Sequence, residues 1–146
     1  MSDLSVIKGR QREMWAAGDY AAVAPPPPIT SELRCEAADL RAASRVLDVA
    51  TGSGNSALAA ARRRCEVIGI DYVPALLERA RERAKAERMD SRFDEGDCEE
   101  LPYAGGAFDT VLSSFGVMFA PDQERGAREL LRVRRPGGRI ALADWR

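Results

Sequence analysis

Two patterns of polar and apolar positions divide the chain. Within Ser5 to Tyr20, Ile7, Met14 and Trp15 fall on one side at helical spacing, which predicts a short amphipathic helix that stops at Gly18. Leu33, Ala37 and Leu40 repeat that spacing, with Thr30 or Ser31 placed to cap the helix they predict. Pro25 to Pro28 lie between the two; four fixed φ angles and four missing donors make this stretch an extended spacer. From Arg45 onward, short β-rich apolar runs alternate with longer segments of helical period. The strands read as Val46–Val49, Glu66–Ile70 closed by Asp71, Arg92–Glu95, Phe108–Ser113 and Arg139–Ala143. Between them, Asn55–Arg64 is an Ala-rich helix. Pro74 opens a second helix, with Leu76, Leu77, Ala80 and Ala84 on one face, and a third runs from Pro121 to Val133. This alternation predicts stacked βαβ units, hence an α/β domain with a mainly parallel sheet. Residues 1–44 then form N-terminal helices joined by the proline connector, in front of a core over 45–146, in a single domain.

The chemistry concentrates where strands give way to helices. After the first strand comes Asp48-Val49-Ala50-Thr51-Gly52-Ser53-Gly54-Asn55, a glycine turn that lets a ligand approach the backbone and face the free N–H groups of the next helix. Gly52 and Gly54 followed by Ala57, with Asp71 nineteen residues after Gly52, match a relaxed dinucleotide fingerprint. An NAD-dependent oxidoreductase is therefore one reading. Asp48 opposes it, because a carboxylate beside the turn repels a pyrophosphate yet suits a ligand with an amino group and a sulfonium. Asp48 also admits a structural reading as a satisfied strand-end carboxylate, and Asp71 one as a cap for the helix at Pro74. Asp97, in Gly96-Asp97-Cys98, is placed to accept from an exocyclic amine while the Cys98 N–H donates to a ring nitrogen. Asp48, Asp71 and Asp97 together would line the carboxyl edge of one sheet, where open α/β folds bind ligands.

Composition narrows the options. The 146 residues contain no histidine, which excludes Ser-His-Asp and Cys-His nucleophiles and every His-containing metal site. Cys35, Cys65 and Cys98 are too far apart for a C-x-x-C pair, so they read as reduced thiols, and no metal site is expected. A net charge of −1 offers no field for nucleic acid. Absence of a signal-peptide pattern and of a long apolar run predicts a cytoplasmic protein without membrane insertion. Of the 22 basic residues 20 are arginine, so a single arginine carries little meaning.

VLDVATGSGN, VIGIDYVPALLERAR, GDCEELPYAGGAFDTVLSSFGVMF and LLRVRRPGGRIALADW occur in this order from about Arg45 to Asp144. This ordered set resembles class I S-adenosylmethionine-dependent methyltransferases, most closely the small-molecule group related to ubiquinone/menaquinone biosynthesis. The resemblance implies a three-layer Rossmann-like sheet of about five parallel strands in the order 3-2-1-4-5. It implies S-adenosylmethionine as cofactor and methyl transfer to a small-molecule or lipophilic acceptor. The glycine turn, with Asp48, Ala50, Gly52, Gly54 and Asn55, is expected to hold the methionine part, Asp71 the ribose and Asp97 the adenine. Tyr72 and Cys98 would flank the adenine, with Ser114 near the methionine group. The N-terminal helix with Trp15 and Tyr20 resembles a segment that often lids the pocket, although core packing is the more ordinary role for both rings. The sequence names no catalytic base. Family members usually add two further strands, so the chain is expected to be C-terminally shortened: a piece of a longer enzyme, a short form dimerising through its fifth strand, or an inactive cofactor-binding remnant.

Overall fold

The structure, a computed structural model, describes residues 3–18 and 28–144. Tyr20, Pro25 to Pro27, Trp145 and Arg146 lie outside them. In chain order the elements are α1 (Asp3–Ala17), α2 (Pro28–Ala37), β1 (Arg45–Val49), α3 (Asn55–Arg62), β2 (Glu66–Asp71) and α4 (Pro74–Ala86). They continue with β3 (Ser91–Glu95), β4 (Phe108–Ser114), a 3₁₀ turn (Val117–Phe119), α5 (Gln123–Val133) and β5 (Arg134–Ala143). All four strand pairings are parallel and the order is β3-β2-β1-β4-β5. The strand order therefore reverses direction beside β1, which places a crevice between the ends of β1 and β4.

Alternation along the central strands builds the three layers. Val46 of β1 and Leu112 of β4 face one cluster, with Ala57, Leu58, Leu77, Ala80 and Phe93. Leu47, Val49 and Val111 face the other, with Ile70, Phe108, Leu130 and Val133. A strand buried on both faces needs apolar residues at successive positions, and Val46-Leu47 and Val111-Leu112 supply them. Among the described residues, no helix is long and apolar enough to cross a membrane.

Local chemistry moved several boundaries. Pro28 opens α2, because proline suits a first helical turn, and Ser31 is buried within the helix instead of capping it. The last core helix starts at Gln123, where the Asp122 side chain accepts from the Arg125 N–H at 3.0 Å. Pro136-Gly137-Gly138 does not separate helix from strand. β5 already begins at Arg134, and its register against β4 slips between Phe108 and Thr110, so the proline and glycines form a bulge. Beyond the bulge Ile140 and Ala141 are half-buried against the two clusters, and Leu142 is half exposed on this outermost strand.

Candidate functional site

The carboxyl ends of β1, β2 and β4, the loop after β3 and helix α1 enclose one cleft. It holds about 1050 Å³ of empty space, including its open mouth.

Asp48 lies on the cleft but is only 1% exposed. Its Oδ2 accepts from the Thr51 hydroxyl at 2.7 Å, while Oδ1 has no hydrogen-bond partner among the described residues. Burial pushes its pKa up to about 7 against the pull of the Thr51 hydroxyl and of the nearby Arg34. The satisfied strand-end carboxylate is thus realised for one oxygen only.

Asp71 braces the site. Its Oδ2 accepts from the Gly52 N–H at 2.9 Å and its Oδ1 from the Val73 N–H at 3.0 Å, which ties the glycine turn to the start of α4. Burial raises its pKa, and the backbone donors hold that rise back. Each oxygen accepts one bond and keeps a second lone pair, so bracing does not exhaust the carboxylate.

Ala50, Gly52, Asn55, Tyr72, Asp97, Cys98 and Ser114 also line the cleft. Burial pushes both the Tyr72 phenol and the Cys98 thiol up to about 12, so neither ionises near neutrality. Asn55 is held from behind, its Oδ1 accepting from Arg83 at 2.7 Å. Gly54 is not in the lining. It takes φ +89° at the entrance to α3, and a Cβ there would come within 3.2 Å of Ala80 and 3.5 Å of the Phe93 ring, so it packs helix against sheet.

Polar partners that the sequence does not announce complete the walls. Lys8 of α1 bonds Asp97 Oδ2 at 2.6 Å and also pairs with Glu99. Glu99 is buried, because it serves Lys8 and accepts from the Asp122 N–H at 2.9 Å. Ser31, Thr51 and Ser56 reach the cleft from three elements, with Arg34 behind them. Helix α1 buries none of its own residues, yet lays Lys8, Gln11 and Trp15 over the opening. Trp15 meets the Phe119 ring at 5.4 Å between centroids, and Gln11 donates to the Phe119 carbonyl at 3.1 Å. With so little apolar anchorage, Lys8→Ala should speed amide hydrogen exchange throughout α1 several-fold and leave the sheet unchanged. Equal protection of α1 in variant and wild type would show that the ion pairs do not hold it.

Residues 46–138 match the sequence model of the family described as methyltransferase domain. The chain belongs to that family. It is 45% identical over 144 residues to an uncharacterised protein of Mycobacterium bovis, a match covering 95% of this chain and 51% of that protein. Over 103 residues it is 43% identical to a demethylmenaquinone methyltransferase of Deinococcus radiodurans, covering 69% of this chain and 43% of that protein. The chain thus spans about half the length of the curated relatives it matches. Among solved structures, the YcgJ protein of Bacillus subtilis superposes with a TM-score of 0.75 at 32% identity, over 80% of this chain and 50% of that one. The [4+2]-cyclase SpnF superposes with a TM-score of 0.76 at 28% identity, over 80% of this chain and 44% of that one. The cleft described above belongs to this methyltransferase domain, at the carboxyl edge of its sheet.

Proposed function

We propose that this methyltransferase domain binds S-adenosylmethionine in the cleft and directs its methyl group to a small, largely apolar acceptor. The observation that carries the reading is Asp48: a buried carboxylate with one unmet oxygen, facing a cleft, is a site for a cationic group. Asp71 retains lone pairs for two ribose hydroxyls. Asp97 with the neighbouring Cys98 N–H suits an adenine amine and ring nitrogen, and Tyr72 and Cys98, both neutral, suit the faces of the base. Ala50, Gly52 and Asn55 bring the turn alongside the amino-acid part, with Ser114 across from it. Gly54 contributes to this reading by setting the entry of α3.

When bound, the sulfonium supplies an electrophilic methyl group, and an in-line displacement asks the protein chiefly for alignment and exclusion of water. Helix α1 does the excluding, through Trp15 packed at a tilt against Phe119. Trp15, Phe119, Ala120 and Pro121 give one end of the cleft an apolar wall, which favours an apolar acceptor. The demethylmenaquinone methyltransferase relative supports a small organic acceptor of that class.

Calorimetric titration with S-adenosylhomocysteine, with NAD as control, tests the reading. Saturable one-to-one binding is expected for the wild type, with Asp71→Ala weakened at least ~10-fold, or about 1.4 kcal/mol. A folded sample that binds neither compound, or prefers NAD, would overturn it.

A further inference from the structure

We propose that a second pocket, at the amino ends of β1, β4 and β5 and thus at the opposite edge of the sheet from the cleft, binds a phosphate group, free or carried by a small molecule. The pocket holds about 590 Å³ of empty space, including its mouth, and shares none of its lining residues with the cleft.

Three guanidinium groups converge on it: Arg41 from the loop after α2, and Arg135 and Arg139 from the two sides of the β5 bulge. Each is anchored through one nitrogen. Arg41 Nη2 donates to Asp39 Oδ2 at 2.8 Å, Arg139 Nη1 to the Ala38 carbonyl at 2.8 Å, and Arg135 Nε pairs with Asp109 Oδ1 at 2.5 Å. A guanidinium has five N–H donors and no acceptor, so a group anchored this way keeps donors to spare. The two carboxylates are engaged in the bracing. Asp109 Oδ2 accepts from the Arg45 N–H at 2.8 Å, and the bond and charge of Arg41, with Arg139 behind, hold the Asp39 carboxyl below its usual range. Three cations thus line the pocket against two carboxylates. Arg134 adds a fourth charge at the bulge: its Cγ would lie 3.0 Å from a Cβ on Gly138, and it has no ion pair among the described residues.

The neutral groups of the lining match this charge. Ser44 contributes a hydroxyl, and Thr110 another from a position only 6% exposed. The bulge contributes backbone. Between the Phe108–Arg134 and Thr110–Arg139 pairings, Arg135 to Gly138 oppose the single residue Asp109, so their backbone groups cannot all join the ladder. Gly137 takes φ +78°, and a Cβ there would meet nothing within 4 Å, so a ligand can come close to the backbone at that point. Gly138 is required for the opposite reason: a Cβ would lie 2.5 Å from the Asp109 carbonyl oxygen. It closes the bulge onto β4 and sets Arg135 and Arg139 on either side of the opening. Donors that converge from several directions suit a tetrahedral oxyanion, whose oxygens can each meet a different fork, whereas a planar carboxylate fills one fork only. The pocket is larger than a lone phosphate needs, which leaves room for an organic group that carries it.

The test titrates the whole chain with inorganic phosphate, with glucose 6-phosphate and, at matched ionic strength, with sodium chloride, and follows the backbone amides by NMR. Saturable shifts at Thr110, Gly137 and Gly138 are expected with phosphate and not with chloride, while Gly52 and Tyr72 in the cleft stay still. Saturation by glucose 6-phosphate as well as by the inorganic ion supports an organic phosphate as occupant; saturation by the inorganic ion alone supports free phosphate. Arg135→Gln should weaken binding roughly ten-fold, the scale for hydrogen bonds to a charged group, and Arg135→Lys should recover part of the loss. Arg41→Gln should act in the same direction, and because the Arg41 side chain is mostly exposed it carries the test if loss of the Arg135–Asp109 pair unfolds the bulge. Shifts that grow without saturating, that chloride reproduces or that both glutamine variants leave unchanged would overturn the proposal. Saturable shifts confined to the cleft would overturn it too, by placing the phosphate there.

Discussion

Asp48→Asn is expected to weaken S-adenosylhomocysteine binding at pH 8 by roughly ten- to hundred-fold while making the free domain more stable at that pH. Both effects come from one carboxylate, 1% exposed, whose Oδ1 has no partner among the described residues. Burial pushes its pKa from 3.8 to about 7. Between those values the folded state holds a proton that the unfolded chain has released. The stability contributed by Asp48 is therefore fully present below the unfolded value, declines as pH rises, and is lost once pH passes about 7. At about 1.4 kcal/mol per pH unit the decline is bounded at roughly 4 kcal/mol. An asparagine keeps a carbonyl for the Thr51 hydroxyl but leaves an amide with unmet donors, at about 1–3 kcal/mol, so a net gain of about 1–3 kcal/mol is expected at pH 8.

A ligand ammonium reverses this logic, since it favours the ionised carboxylate. Wild-type affinity should rise with pH up to about 7, with proton release on binding, detectable as a dependence of the calorimetric heat on the ionisation enthalpy of the buffer. Melting curves at pH 5 and pH 8, with titrations at pH 6 and pH 8, separate the two effects. If Asp48→Asn and wild type keep the same pH slopes in both experiments, Asp48 is not the titrating group.

How much of this was legible in the sequence follows from what each feature depends on. The strands were legible because burial on both faces of a parallel sheet demands consecutive apolar residues, and Val46-Leu47 and Val111-Leu112 show them directly. The positions of Asp48, Asp71 and Asp97 were legible because a strand end followed by a turn is a local event. What each carboxylate does was less so. Asp71 spends an oxygen on the Gly52 N–H and another on the Val73 N–H, so it braces the glycine turn; the N-cap of α4 is Val73, with no side-chain cap, and Asp71 does not cap that helix. Arg34 stayed hidden for two reasons. In a chain where 20 of 22 basic residues are arginine, one more carries no signal. Its role also arises only when α2 packs so that Ser56 and Ser114, 22 and 80 residues away, meet it. Lys8 and Asp97 are 89 residues apart, and the burial of Glu99 depends on both α1 and the Asp122 N–H, contacts that no periodicity encodes. The β5 boundary was misplaced for a different reason: Pro136-Gly137-Gly138 reads locally as a break, and only pairing with β4 turns it into a bulge.

Gly116→Ala is expected to be the most damaging single-methyl change at the mouth of the cleft. Gly116 follows β4 and Ala50 follows β1, so the two meet where the sheet order reverses. A Cβ on Gly116 would lie 2.3 Å from the Ala50 Cβ and 3.2 Å from the Ala50 carbonyl oxygen. Carbon atoms in contact need roughly 3.5–4.0 Å, so the loops must separate by more than about 1 Å. Neither methyl is the end of a flexible side chain, and the backbone on both sides is already constrained: Ala50 has φ +55° and Phe115 has φ +52°, in the left-handed region. The Phe115 N–H is further fixed to the Ala143 carbonyl at 2.7 Å. Overpacking of this kind costs about 1–3 kcal/mol, read as a lower denaturation midpoint. Moving the Ala50 loop by an ångström also misplaces the turn that carries Gly52, and losses on the order of a hundred-fold in turnover follow from misalignments of that size. Ala50→Gly supplies the check. It removes the obstructing methyl and relieves the left-handed φ, so alone it should change stability by about 1 kcal/mol or less. Combined with Gly116→Ala it should restore most of the lost stability, a coupling of roughly 0.5–3 kcal/mol between residues in contact. A double mutant as unstable as the sum of the two single changes would mean that the close approach of these loops is not what requires glycine at 116.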